Sequence, residues 1–358
     1  CKAKIFAKLK NIRFAEYNAS NFCITPSDGG CNLCFYVNAI DKFEAEQQAL
    51  ERLYEICAFL SVETNIYCSF DEFTVIENEL LLENKSSSQF IDDYIDYYPA
   101  IDNWQICISS YAYKFINENI LSIGRFEKRC EVEKFFISAC KHLQIGIETE
   151  LRIGDIAIAS IPFGTIALSQ RDQRNKVEHM TSALMSYLSA IECATATETN
   201  HETCKECGAV IYKIADRVRN LSTEFLGEHL GKVFHKLYAY RSKFLHTGRM
   251  ASDANIVRTI PLLSESSETG VKEYGNVAIK VDGKIYSLNI SNVREWTTYI
   301  LRCYYQKRIL GRKSFANVFN DRQEIILDDF PLKISAITPE GSEQMKKNFV
   351  RNSKGLLL

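Results

Sequence analysis

No apolar stretch of this 358-residue chain is long enough to cross a bilayer. The longest, Ile156 to Leu168, falls short of the roughly 20 residues that a spanning helix needs, and Pro162 and Gly164 interrupt it. An excess of charge of one sign is also lacking. Lys and Arg total 43 against 45 Asp and Glu, for a formal net charge of −2. That balance excludes bulk charge as a means of coating nucleic acid or an anionic membrane, so any contact with RNA must be local. No basic segment followed by an apolar one opens the chain, which predicts a cytoplasmic protein. The amino-terminal half carries no phosphate-binding P-loop, no dinucleotide-binding glycine pattern, no zinc-protease HExxH and no GxSxG nucleophile elbow, so none of those chemistries is signalled.

With 46% hydrophobic and 25% charged residues the chain can bury a sizeable core and has room for two domains. Its 13 cysteines are an odd number. Several, such as Cys57, Cys140, Cys193 and Cys303, sit in apolar surroundings and read as reduced core thiols. Cys31 with Cys34, and His201 with Cys204 and Cys207, have ligand-like spacing that in principle makes a tetrahedral zinc set. The two groups lie far apart in the chain and neither has the turn residues of a zinc knuckle. Chance spacing in a cysteine-rich chain is the stronger reading, and no metal or cofactor is expected.

Hydrophobic periodicity divides the chain. From Ala3 to about Ile76 it reads strand, turn, strand, helix, strand: Ile5 to Phe14 is extended, Cys34 to Ile40 alternates weakly, and Lys42 to Leu60 is helical. In that helix Ala45, Ala49, Leu53, Ile56 and Leu60 form one apolar stripe at spacings of three and four. A polar, acidic stretch from Glu83 to Asp96 follows, with Lys85 to Gln89 as a loop. Beyond Ile101 to Phe115 the pattern turns helical, and Glu131 to Leu143 is amphipathic. Residues 1–150 are therefore expected to form an amino-terminal α+β domain.

The second half is more regular. Val177, Met180, Leu184, Leu188 and Ile191 line one face of a first long helix; Ile211, Ile214, Val218 and Leu221 line a second; Leu230, Phe234 and Leu237 lead into a third. A fourth runs from Val293 to Ile309, after a strand pair whose turn is signalled by Asp-Gly in Val281-Asp-Gly-Lys284. Four such stripes predict a helical bundle over 170–310, with a β-hairpin inserted and residues 311–358 as a carboxy-terminal extension.

Within the third helix lies Leu237-Tyr-Ala-Tyr-Arg-Ser-Lys-Phe-Leu-His-Thr-Gly248. An arginine followed by a histidine five residues on arises about once by chance in a chain of this length, so the setting must carry the argument. On an unbroken helix Leu237, Arg241 and Phe244 share the buried face. A guanidinium there cannot stay unpaired. Either the helix breaks near Tyr240, or Arg241 points into a wet cleft or an interface. Arg241 and His246 are separated by about 140° and about 7.5 Å of rise, so one motif converges poorly on a single phosphate. Two motifs facing each other across a homodimer converge better. Between Lys213 and Arg249 there are eight basic residues against three acids, a local net of +5.

This block, from about Arg174 to Leu310, resembles the HEPN superfamily of helical RNases, and within it the ApeA-like branch of bacterial anti-phage defence proteins. The resemblance is carried by Leu237-Tyr-x-x-Arg-Ser-x-x-x-His-x-Gly248, with Ala190-Ile-Glu192 in the first helix and Ala215-Asp-Arg-Val218 in the second. It implies a HEPN-type four-helix bundle and a metal-independent endoribonuclease of a defence, abortive-infection or toxin system. The substrate would be tRNA or another RNA, attacked by its own ribose 2′-OH. Arg241 and His246 would be the catalytic pair, the guanidinium stabilising the phosphorane and the imidazole moving the proton. Ser242, where the family usually has Asn, Asp or His, would position the phosphate, and Lys236 and Arg249 would hold flanking nucleotides. The amino-terminal domain would be a sensor or substrate selector, answering to a phage-derived trigger or a regulatory protein. The alternative is a non-catalytic scaffold of the same fold that binds RNA or a protein partner, favoured if Arg241 is salt-bridged and covered.

Overall fold

The computed structural model describes residues 2–10, 12–19, 21–28, 30–77, 94–95, 100–102, 105–124, 127–159, 170–197, 202–203, 210–211, 213–247, 264–265, 276–281, 284–312 and 316–317. It is a mixed α+β structure in which an antiparallel sheet is followed by long helices. The sheet has five strands, β1 (Lys2–Lys10), β2 (Tyr17–Asn18), β3 (Phe22–Ser27), β4 (Gly30–Asn38) and β5 (Ser69–Glu77), in the order β2-β3-β4-β1-β5. Strand β1 is central and shows why: Ala3, Ile5, Ala7 and Leu9 are buried while Lys2, Phe6 and Lys8 between them are exposed, the period-two pattern of a sheet with one face on a core. Gly30 starts β4 where a Cβ would overlap the Leu9 carbonyl, so the close approach of the two backbones excludes a side chain there.

The inner face of the sheet is covered by α1 (Lys42–Thr64). Asp41 caps its first turn by accepting from the Glu44 backbone N–H at 2.8 Å, and the Glu44 carboxylate accepts from the Ile40 N–H at 2.7 Å. The helix ends at Asn65, which takes up the left-handed conformation with φ 57°. All five residues of the predicted stripe, Ala45, Ala49, Leu53, Ile56 and Leu60, are fully buried. The Glu83 to Asp96 stretch lies almost wholly outside the described residues. After it come a short antiparallel pair, Ala100–Asp102 with Gln105–Cys107, then α2 (Ser110–Phe115) and a π-helical turn, Ile116–Leu121.

Helix α3 (Glu131–Ala159) is far longer than the amphipathic segment ending at Leu143 suggests, and the boundary read at residue 150 falls inside it. It packs on α1 on one side and on α4 (Gln170–Ala194) on the other. At the α3–α4 crossing a Cβ on Gly146 would overlap the Tyr187 ring, and Tyr187 donates its hydroxyl to Glu150 at 2.6 Å. Helices α5 (Ile214–Leu226) and α6 (Glu228–Thr247) form a tight helical hairpin: Gly227 between them has φ 88°, and Gly231 sits against the Thr223 side chain. Ile211 belongs not to α5, as its spacing predicts, but to a short strand, Val210–Ile211, paired with Glu202–Thr203. That pairing commits the backbone groups a helix would need. Strands Asn276–Val281 and Lys284–Asn289 pair antiparallel with Val281 opposite Lys284, so the Asp-Gly signal falls between them, on residues outside those described. Helix α7 (Ile290–Tyr304) follows and ends in a second π-helical turn, Tyr305–Ile309.

The buried residues form one contiguous core from Ala3 to Tyr305. Its densest part is aromatic. Phe59 of α1 stacks on Phe115 at 4.4 Å, Tyr305 meets Phe59 at 5.1 Å, and Phe136 of α3 meets Phe115 at 5.3 Å. Polar groups tie the same elements together. The buried Glu55 carboxylate accepts both Nη groups of Arg129 and also faces Arg52 at 3.3 Å and Lys141 at 3.6 Å. Burial alone would raise its pKa, yet the Arg129 hydrogen bonds and the three cations hold the carboxyl below its usual range.

Candidate functional site around Arg241

Helix α6 runs unbroken through Tyr240 to Thr247, so the break that would have released Arg241 from the core face does not occur. The guanidinium is paired instead. Its Nη2 lies 2.7 Å from Oε2 of Glu192 on α4 and donates to Ser189 Oγ at 3.3 Å, while Nη1 donates to Tyr238 Oη at 2.9 Å. The cation also sits over the Tyr238 ring, 5.2 Å from its centroid. The Arg241 side chain is 16% exposed and that of Glu192 is 23%, so the pair stands at the rim of the core and in contact with water. The carboxylate contact is close but not aligned as a hydrogen bond, since Glu192 Oε2 has no hydrogen-bond partner. Two hydrogen bonds and one ion pair therefore fix the guanidinium.

Two further groups complete the surroundings. The Arg217 side chain of α5 is near enough to Tyr238 to act on it electrostatically, and its Nε is buried with no hydrogen-bond partner. His142 of α3, half-buried, feels both Arg241 and Glu192. Burial first and Arg241 second push its pKa down, with Glu192 opposing. Burial, then the Glu192 charge, raises the Tyr238 phenol, and the Cys193 thiol is raised for the same two reasons. The contacts at hydrogen-bonding distance thus gather one guanidinium, one carboxylate and two hydroxyls from α4 and α6, with Arg217 of α5 and His142 of α3 acting on them electrostatically.

Of the residues singled out in the sequence, Arg241 lies in this cluster. Ser242, the next position on α6, is half-buried, and Lys236 is exposed on the same helix. His246 lies on α6, with its side chain outside the described part of the structure. Arg249 lies outside the described residues altogether, as do His201, Cys204 and Cys207. Sequence reasoning found no second histidine in a setting comparable to that of His246. His142 of α3 was not singled out, because its electrostatic link to Arg241 and Glu192 comes from helix packing and leaves no local pattern. Glu192 was visible as part of a motif, but its pairing with Arg241 was not.

The local basicity is reinforced from another element. Glu224, one of the three acids counted against the eight bases, is held by Lys307 and Arg308 at the end of α7, each at 2.7 Å. Glu228 pairs with Arg219 at 2.5 Å.

The first cysteine pair has no ligand geometry. On strand β4, Cys31 and Cys34 are three residues apart and point to opposite faces. The Cys31 thiol is buried, accepts from the Phe14 N–H at 2.8 Å, donates to the Ile12 carbonyl at 3.1 Å, and is pushed up to about 11 by burial. Among the described residues no group of three or more His, Cys, Asp or Glu is placed to hold a metal ion, and the described cysteines form no disulfide with one another. None of the described helices is long and apolar enough to cross a membrane. Comparisons with protein-family models, curated proteins and solved structures find no match.

Proposed function

We propose that the chain is a metal-independent endoribonuclease of HEPN type, acting in a bacterial defence or toxin system. The observation that carries this reading is the state of Arg241. It is a largely covered but not sealed guanidinium, held by Ser189, Glu192 and Tyr238 on an unbroken helix that carries His246 a turn and a half further on. A guanidinium so oriented suits two oxygens of a phosphodiester, and the charge that builds up on the phosphorane strengthens the contact. The ribose 2′-OH attacks the adjacent phosphorus and the 5′-oxygen leaves. His246 exchanges the proton, and Glu192 yields its place on Arg241 to the phosphate. Ser242 and Lys236 on the same helix supply further contacts to the backbone of the RNA. We place the active form as a homodimer built on α5 and α6, because Arg241 and His246 diverge on one helix.

The ion pair between Arg241 and Glu192 favours a second reading, a non-catalytic module of the same fold that binds RNA or a protein partner. Incubating the full chain with RNA in the presence of a chelator separates the two. Cleavage leaving cyclic phosphate ends, and its loss in Arg241→Ala and His246→Ala, is the outcome expected of the enzyme. RNA bound but never cut is the outcome expected of the scaffold.

A further inference from the structure

The outer face of the sheet, turned away from α1, holds two cysteines side by side. In the antiparallel register of β3 and β4, Cys23 stands directly opposite Cys34. Directly opposed residues share one face of the sheet, with Cα atoms about 4.5–5.5 Å apart in either kind of pair, inside the span of roughly 4.4–6.8 Å that a disulfide bridges. Alternation sets that face. Cys34 lies beside Phe6 of β1, which is 40% exposed, while Ile5, Phe35 and Phe22 in the next row are fully buried in the core. Asn18 of β2 lies opposite Cys23 on its other side, and the neighbouring pair on the outer face, Thr25 with Asn32, is polar. Cys31, Cys57, Cys68, Cys140 and Cys303 belong to the contiguous core and keep 1% of their surface or none; Cys23 and Cys34 lie outside it and keep 8% and 4%. The Cys34 side chain hydrogen-bonds to Cys23 and holds its pKa below the ordinary thiol value, burial opposes, and Lys4 of β1 lowers it further. Burial pushes the thiols of Cys31, Cys140 and Cys303 the other way.

We propose that Cys23 and Cys34 form a reversible dithiol–disulfide site that reacts with hydroperoxides, Cys23 attacking and Cys34 resolving. The Cys23 sulfur attacks one peroxide oxygen and the O–O bond breaks, so that hydrogen peroxide leaves one water and Cys23 becomes a sulfenic acid. The Cys34 sulfur then attacks the Cys23 sulfur, the S–O bond breaks, and the hydroxyl departs with the Cys34 proton as a second water. Two electrons pass from the thiols to the peroxide. Opposed strand positions hold their Cβ atoms somewhat wider apart than a relaxed disulfide does, which favours a bond that a dithiol reduces again. Once formed, it ties β3, with the short edge strand β2 beyond it, to the middle of the sheet. None of this depends on ribonuclease activity.

The test is titration of the full chain with hydrogen peroxide, followed by alkylation, cleavage before Asp28 to part Cys23 from Cys31 and Cys34, and mass mapping of the linked peptides. The expected result is a Cys23–Cys34 crosslink, with loss of both thiols, that dithiothreitol reverses while Cys31, Cys140 and Cys303 stay reduced. Cys34→Ser is expected to stop the reaction at Cys23, where dimedone traps the sulfenic acid. Cys23→Ser is expected to give neither a crosslink nor a trapped acid at Cys34. Both thiols still free in the parent chain after peroxide has oxidised the exposed Cys130 would overturn the proposal. A crosslink that forms only in urea, or that uses Cys31 in place of Cys34, would overturn it as well.

Discussion

At the scale of single residues the decisive object is a guanidinium with a carboxylate already on it. An arginine that only stabilised the fold would be expected to keep that partner; one that binds phosphate has to exchange it. Glu192→Gln distinguishes the two. It removes the competing charge while keeping the shape, so RNA should bind more tightly, and the melting temperature should fall because Arg241 loses its counter-ion. Filter binding at fixed salt reads the first effect; unchanged or weaker binding would show that Glu192 does not guard the arginine. His246→Ala should slow cleavage by about 10²- to 10⁴-fold, or roughly 3–5 kcal/mol of barrier, and Arg241→Ala by a similar factor. Parental rates in purified His246→Ala would remove that histidine from the mechanism. The sequence could show Arg241 and its helix, because both are encoded in one local stripe. It could not show Ser189 and Glu192 as the arginine's partners, since those contacts arise only when separate helices pack.

At the scale of elements, helix contacts are set by a few small residues and a few buried charges. Gly146→Ala improves helix propensity by about 1 kcal/mol. The added methyl, however, meets a fully buried Tyr187 ring whose hydroxyl is held by Glu150, so overpacking of about 1–3 kcal/mol should outweigh that gain. A net loss in the urea midpoint is expected; a gain would mean that α3 and α4 slide freely. The Glu55 cluster adds a pH signature. Its folded pKa lies below the unfolded value, so its contribution is complete above the unfolded pKa and is lost as pH falls through the lowered folded value. Glu55→Gln should cost about 2 kcal/mol at neutral pH, where it strands Arg129, and make little difference in strong acid. Denaturant titrations at two pH values check this. The α1 stripe was fully legible because its five apolar residues fix both the helix and its buried face. The length of α3 was not, because its second half packs against α4 and its boundary has no stop signal near Leu143. Ile211 misled for the opposite reason: its spacing fits a helix, but a distant strand partner claims its backbone.

At the scale of the whole molecule, the RNA reading makes demands on chemistry and assembly. Attack by an internal 2′-OH needs no metal-generated nucleophile, so chelator should leave cleavage intact and DNA should resist. Activity abolished by chelator and restored by a divalent ion would sink this mechanism. If two motifs share a site, mixing Arg241→Ala with His246→Ala subunits should restore part of the activity that each lacks alone. No recovery, together with a fully active monomer, would place the whole site within one chain. Composition and periodicity change near residue 150, but the side chains on both sides of that point bury one another. Helix α3 joins the two parts through residues about a turn and a half apart: Lys141 reaches Glu55 on α1, and Gly146 takes the Tyr187 ring of α4. The two positions stand about 140° apart around the helix, so a rotation of α3 that relaxes one contact displaces the other. The sheet-bearing part and the helical part are therefore geared through one helix, and a substitution at either contact should be felt at the other.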